Sequence, residues 1–168
     1  MHLDGSHTLN APAEAVWEMI MDPEVLAKVT PGVKTLEALG DDKYKATSHI
    51  MMGAVNGLFD GEMEVLDKVA PQSFTLKMTM NGKIGTVIAQ GKLQFKPLNA
   101  LQTEVIFSGD AQLSGTLART GQRVMGGVAK TMTRQFFKSL EKQIASLQEG
   151  DGPEKGKFFK KLFGKQPE

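Results

Sequence analysis

Apolar and polar side chains alternate with a period of two over much of the first two thirds of the chain, and this pattern predicts β-strands. The stretch "HLDGSHTL" is the first of them, with every second residue from Leu3 to Leu9 on one face. Six further strands follow between residues 33 and 113, separated by turn signals such as Gly40-Asp41-Asp42. Consecutive short strands of this kind predict an antiparallel meander with one buried face.

Two short helices are expected after the first strand. In "NAPAEAVWEMIMD", Asn10 is an N-cap candidate and Pro12 fits the first turn. Asp22 followed by Pro23 predicts the cap and first position of the second helix. Pro31-Gly32 then ends that helix.

A change of period marks the last part of the domain. From residue 114 to 147 the apolar side chains recur three or four positions apart, which predicts one long amphipathic helix of about eight turns. Gly121, Gly126 and Gly127 interrupt its first half. Because no crossover helices separate the strands, a doubly wound fold is excluded. We predict an α+β fold in which a curved antiparallel sheet of about seven strands wraps the long C-terminal helix.

Composition narrows the class of protein further. A length of 168 residues favours one domain. Without cysteine there is no disulfide, thiolate metal site or cysteine nucleophile. The N-terminus lacks the basic and apolar regions of a signal peptide, and no stretch has the roughly 18 apolar residues of a spanning helix. We therefore expect a cytoplasmic protein.

The charge is unevenly distributed. Residues 150–168 carry five lysines and three acids, a charge of +2, so the net charge of +1 leaves 1 − 2 = −1 for residues 1–149. Residues 1–149 therefore lack the excess of positive charge that attracts nucleic acid, and we expect no nucleic-acid partner.

Catalytic and metal-binding patterns are missing from the sequence. His2, His7 and His49 lack the spacing of metal ligands, and no GxSxG nucleophile turn occurs. The acids of the fourth strand, Asp60, Glu62 and Glu64, are expected on its solvent face. We predict neither a catalytic set nor a metal site.

The buried face instead combines methionines, phenylalanines and glycines. Glycine inside a strand costs stability, so Gly57, Gly61, Gly91 and Gly109 either permit strong bending of the sheet or leave room for a guest. Methionine gives an adaptable lining for an apolar ligand. On the second interpretation, the following side chains line a hydrophobic cavity: Phe59, Gly61, Met63, Met78, Met80, Phe95, Phe107, Gly109, Gly121, Met125, Val128 and Met132.

A basic and aromatic segment follows the predicted domain. We expect a domain over residues 1–149, a flexible linker over 150–156 and a short basic amphipathic segment over 157–165. The segment is too short to span a bilayer, but an anionic membrane surface would bind both its lysines and its apolar face. The alternatives are docking in a partner's groove or onto its own domain. The residues expected to touch the membrane are Lys157, Phe158, Phe159, Lys160, Lys161, Leu162 and Phe163.

Several spaced motifs resemble one family. The opening "GSHTLNAPAEAVWEMIMDPEVLAKVTPGVKTLE" resembles that of the CoxG family of carbon monoxide dehydrogenase subunits, which belongs to the START-like (birch-pollen-allergen-like, or SRPBCC) superfamily with a helix-grip fold. Its matching positions are Pro12, Val16, Trp17, Asp22, Pro23, Leu26, Pro31 and Gly32. The later "GLFDGEMEVLD" resembles a strand of that family. The "SGTLARTGQRVMGG…QFFKSLEK" helix resembles its long helix, matching at Leu117, Ala118, Gly121, Gln122, Arg123, Phe136 and Phe137.

The resemblance implies a function. It implies a non-catalytic carrier that binds a quinone or similar lipid and recruits a molybdenum-containing carbon monoxide dehydrogenase to the inner face of the membrane. The quinone ring would need polar partners, for which Ser48, Asn56 and Arg123 are candidates. Two other classes stay open: a small cavity enzyme of the cyclase or hydrolase type, and a protein adaptor with a filled core.

Overall fold

The computed structural model describes residues 1–149 and gives eleven elements in chain order. They are β1 (His2–Leu9), α1 (Ala13–Met21), α2 (Pro23–Val29), β2 (Val33–Gly40), β3 (Lys43–Met52), β4 (Val55–Val69), β5 (Ser73–Gly82), β6 (Gly85–Asn99), β7 (Gln102–Leu113), α3 (Thr116–Thr120) and α4 (Gln122–Glu149).

The seven strands form one antiparallel sheet in the order β1-β7-β6-β5-β4-β3-β2. Consecutive strands from β2 to β7 are neighbours, while β1 pairs with β7 and so leaves β1 and β2 at the two edges. Along β4, Val55 and Phe59 are buried whereas Asn56 and Asp60 are exposed. This alternation defines a concave face that the helices cover, and the predicted curved sheet with a long C-terminal helix is confirmed.

The two short helices follow the predicted pattern in one case and depart from it in the other. Asp22 caps α2 as predicted, since its side chain accepts a hydrogen bond from the Glu24 amide at 2.9 Å. The prediction that Asn10 caps α1 is wrong, because the residue before that helix is Pro12 and no side chain caps it. Asn10 is instead bound from two sides, its carbonyl by Gln148 and its side-chain oxygen by Gln102.

The predicted long C-terminal helix is present, but the stretch from residue 114 to 147 is two helices rather than one. Gly121 has a φ of +99°, which ends α3 and separates it from α4. A non-glycine residue adopts such a φ only at a cost. The 28 residues of α4 then run as one helix, which is about 42 Å long at 1.5 Å per residue.

The larger of two hydrophobic clusters, here called the proximal cluster, joins α1, α2 and the C-terminal half of α4 to the sheet. Trp17 packs edge-on against Phe74 and Phe95, with ring centroids 5.8 and 5.7 Å apart. On α4, Phe137 stacks on His7 of β1 at 4.7 Å. Trp17 and Phe137 are therefore core residues, and each is less than a tenth exposed.

A second group of side chains, the distal cluster, lies at the other end of α4. Ile50, Val55, Phe59, Leu117 and Met125 are its buried members. The backbone of α4 runs closest to β1, α2 and α3 rather than to the central strands. The middle of the sheet is thus bordered by two separate clusters instead of one continuous core.

Candidate functional site

A band of side chains crosses the concave face between the two clusters. Met63 on β4 pairs with Met78 on β5, Met78 with Ala89 on β6, and Ala89 with Ala111 on β7. All four are half-buried and none belongs to either cluster. Side chains at directly opposed positions lie about 4.5–5.5 Å apart at Cβ, so these four form a continuous apolar strip.

The band ends at a cleft beside the β1–β7 edge. The cleft has a volume of about 420 Å³ and includes Ala111, the last residue of the band. The residues that line it come from the residue before β1, from β7, from α3 and from the α3–α4 junction: Met1, Ala111, Gln112, Leu113, Ala118, Gly121 and Gln122. The cleft is about half open to solvent.

Space above this part of the sheet is also open on the helix side. A Cβ added to Gly126, which is half-buried on α4, would have no heavy atom within 4 Å, and the same holds for Gly121. Both positions therefore border open space. On the sheet, Ala89 and Ala111 contribute only small side chains to the band.

The residues predicted to line a cavity are spread over four regions. Phe59, Met80, Met125, Val128 and Met132 belong to or pack against the distal cluster. Phe95 and Phe107 lie in or against the proximal cluster. Met63 and Met78 form the band, and Gly121 lines the cleft. Contact between any of them and a ligand stays a prediction.

The inward-facing glycines have a different explanation from a cavity. A Cβ on Gly61 would lie 1.8 Å from the Thr79 carbonyl oxygen, and one on Gly109 would lie 3.0 Å from that of Gln90. Both contacts are with the backbone of the neighbouring strand. Of the two interpretations in the sequence analysis, close approach of strands in a bent sheet therefore accounts for these positions.

The three polar residues predicted as candidate partners for the quinone ring lie in different environments. Ser48 is 7% exposed and sits on the concave face opposite Phe59. Asn56 and Arg123 are exposed. Of these three, only Ser48 lies inside the fold.

Sequence reasoning missed most residues of the cleft. Ala89 and Ala111 are recognisable as inward positions from the alternation of β6 and β7, but their common row depends on the pairing register. Met1, Gln112 and Gln122 carry no local signal, because their meeting depends on the α3–α4 break and on β1 pairing with β7.

The strand acids lie away from the band. Asp60 and Glu62 are exposed and Glu64 is half-buried, all on the convex side of β4. Within residues 1–149, no group of three or more histidines and acids is arranged to hold a metal ion.

One titratable group near the cleft has a shifted pKa. The pKa of His2 is raised because its ring hydrogen-bonds first to Asp110, at 2.9 Å, and also to Asp4, at 2.8 Å. Asp110 is the register partner of His2 on β7. These bonds fix the start of β1, whose Met1 lines the cleft.

The segment predicted to touch a membrane, residues 157–165, and its linker, residues 150–156, lie outside the described residues. Among the helices that the structure describes, none is long and apolar enough to cross a bilayer.

Known proteins resemble this chain in both fold and sequence. A conserved protein from Geobacillus kaustophilus is 38% identical, with a TM-score of 0.85 over 87% of this chain and 96% of that one. A START superfamily protein from Mycobacterium smegmatis has a TM-score of 0.68 at 15% identity, covering 87% of this chain and 98% of that one.

A third structure, the ZhuI aromatase/cyclase from Streptomyces sp. R1128, has a TM-score of 0.66 at 15% identity over 85% and 92% of the two chains. At this identity the last two likenesses show the fold alone. No curated protein is significantly similar in sequence. The profile of the CoxG family of carbon monoxide dehydrogenase subunits matches residues 5–145, which include most of β1, all the other strands and most of α4, and the chain therefore belongs to the CoxG family.

Proposed function

We propose that this protein is a non-catalytic carrier that binds one apolar molecule between the concave face of its sheet and α4. The molecule is a quinone or a similar isoprenoid lipid. The carrier serves a carbon monoxide dehydrogenase of the molybdenum hydroxylase type and connects it with the quinone pool of the membrane.

The observation that carries this proposal is the band from Met63 to Ala111. A filled core would place these side chains in one contiguous cluster, as is usual within a domain. Here they are half-buried between two clusters, although they face the helix. An apolar guest in this position would remove them from water.

The chemistry of the lining fits a quinone. Met63 and Met78 offer polarizable thioethers to a flat ring or a branched chain. Quinone oxygens accept hydrogen bonds, and the side-chain amides of Gln112 and Gln122 in the cleft are donors. Ser48 offers a further hydroxyl on the concave side. A ring near the cleft and an isoprenoid chain along the band would use both parts of the site.

A carrier role rather than an enzymatic one agrees with the inward positions. Among the described residues, the strand positions facing α4 include no aspartate or glutamate. The buried Thr103 hydroxyl already donates to the Ala11 carbonyl at 2.8 Å. General acid–base chemistry needs a positioned ionisable group. On the described concave face such groups include His7, which is stacked on Phe137 and bound to Glu141, and Tyr44, the register partner of Met63.

The partner follows from the family, whose name assigns it to carbon monoxide dehydrogenase. The quinone link requires access to the membrane, where quinones reside. We propose that residues 157–165 provide it by binding the inner face of the cell membrane, so that the protein is cytoplasmic and peripheral.

Native mass spectrometry of protein purified from its own cells, without detergent, tests this function. We expect a bound species whose mass equals that of a membrane quinone or another isoprenoid lipid, in a one-to-one ratio. Protein that carries no such species and takes none up from quinone-loaded vesicles would overturn the proposal.

A further inference from the structure

One end of the sheet combines exposed apolar side chains with positive charge. There the β3–β4 hairpin, the β5–β6 hairpin and α3 converge. Gly82 pairs with Phe59, and the Leu117 amide donates to the Ile84 carbonyl at 3.0 Å. We call the surface formed by residues 51–58, 83 and 119–123 the basic end.

Two large apolar side chains of the basic end face solvent. Met51 is 70% exposed and Leu58 is 63% exposed, and both lie on the same side of the β3–β4 hairpin. Single exposed apolar residues are ordinary, but here two lie two rows apart on paired strands. Such a pair suits insertion into an apolar layer.

Positive charge predominates at this end of the sheet. Lys83, Arg119 and Arg123 are exposed here, and the segments 48–59, 81–90 and 111–140 contain no aspartate or glutamate. The nearest acid along β4 is Asp60, which is exposed two residues from Leu58 on the same side of the strand. Two exposed apolar side chains with three cations at the same end of the sheet complement an anionic lipid surface.

The position of the basic end relates it to the cleft. Arg119 and Arg123 flank Gly121 and Gln122, which line the cleft. The chain leaves α4 at the opposite end of this helix, about 42 Å away, where Gln148 binds the Asn10 carbonyl. The basic end is therefore separate from the predicted segment at residues 157–165.

We propose that the basic end is a second membrane-docking surface, which binds anionic lipid bilayers and places the mouth of the cleft against them. This inference goes beyond the proposed function, because it assigns membrane contact to the folded domain. It requires neither a quinone ligand nor binding by residues 157–165.

Binding of the full chain to phosphatidylcholine vesicles with and without phosphatidylglycerol tests the proposal. We expect Met51→Ser/Leu58→Ser to weaken binding to the anionic vesicles at least tenfold. Lys83→Gln/Arg119→Gln should weaken it about fivefold for each cation removed. The matched control Leu98→Ser/Leu101→Ser changes two exposed leucines at the opposite end of the sheet, 46% and 71% exposed, and should have no effect.

A second readout reports location directly. Tryptophan at position 51, introduced as Met51→Trp, should be quenched by brominated phosphatidylglycerol vesicles, whereas Leu101→Trp should not be. Uptake of a soluble short-chain quinone should be unchanged in Met51→Ser/Leu58→Ser, which separates this surface from the ligand site. Unchanged vesicle binding in both double variants would overturn the proposal. So would variants that lose binding to carbon monoxide dehydrogenase but keep their binding to vesicles.

Discussion

Gly61 lies so close to Thr79 that a Cβ on the glycine would be 1.8 Å from the threonine carbonyl oxygen. The two residues belong to paired strands, β4 and β5. A contact with backbone cannot be relieved by a rotamer change, so β4 can bend against β5 only with glycine at this position.

The first prediction concerns this contact. Gly61→Ala should lower the free energy of unfolding by about 1–3 kcal/mol or more, as overpacked sites do. Gly57→Ala is the matched control on the same strand and face, because its Cβ would meet Ile84 Cδ1 at an ordinary 3.8 Å. It should change stability by less than about 1 kcal/mol. Urea denaturation of both variants gives the comparison, and equal effects would refute the assignment.

The second prediction is a pH dependence at the β1 edge. Because the folded pKa of His2 is raised above 6.5, its stabilising effect is complete below the unfolded pKa and is lost as the pH rises through the folded value. In an NMR titration, Asp110→Asn should lower the pKa of His2 more than Asp4→Asn does. A larger fall in the pKa of His2 in Asp4→Asn than in Asp110→Asn would contradict the ranking of the two hydrogen bonds.

The third prediction concerns residues 157–165. Phe158→Ser/Phe159→Ser/Phe163→Ser removes three side chains that each contribute roughly 1.5–3 kcal/mol when buried in lipid. Sedimentation with anionic vesicles should fall at least tenfold, and the melting temperature of the domain should stay within a few degrees. Phe163→Leu, which keeps an apolar group, is the control. Unaltered sedimentation of the triple variant would exclude a membrane role for this segment.

Much of the fold follows from short-range patterns. The alternation along β4 gives its buried face without knowledge of its partners, and Asp22-Pro23 marks the start of α2 because both residues act on the adjacent backbone. The prediction that Asn10 caps α1 failed for the opposite reason. The preference of Asn10 for capping a helix was overridden by tertiary hydrogen bonds from Gln102 and Gln148, which are distant in sequence.

The site was less predictable, because it depends on contacts between strands. Alternation places Gly61 and Met63 on the same face, but only the register shows that a Cβ on Gly61 would meet Thr79 while Met63 joins a half-buried row. Gly121 was visible as an interruption of the helix. Its positive φ, which ends α3 and separates it from α4, cannot be deduced from the helical period.

Filling the band tests the account most directly. Equilibrium dialysis of a short-chain quinone should be compared between the unaltered protein, Ala111→Leu and Ala89→Leu, with Gln90→Leu on the exposed face of β6 as the control. We expect each alanine variant to weaken binding at least tenfold without a fall in melting temperature, because the added side chain enters space that a ligand would occupy. Unchanged affinity in both alanine variants, or unfolding of both while the control stays folded, would show that nothing apolar binds between sheet and helix.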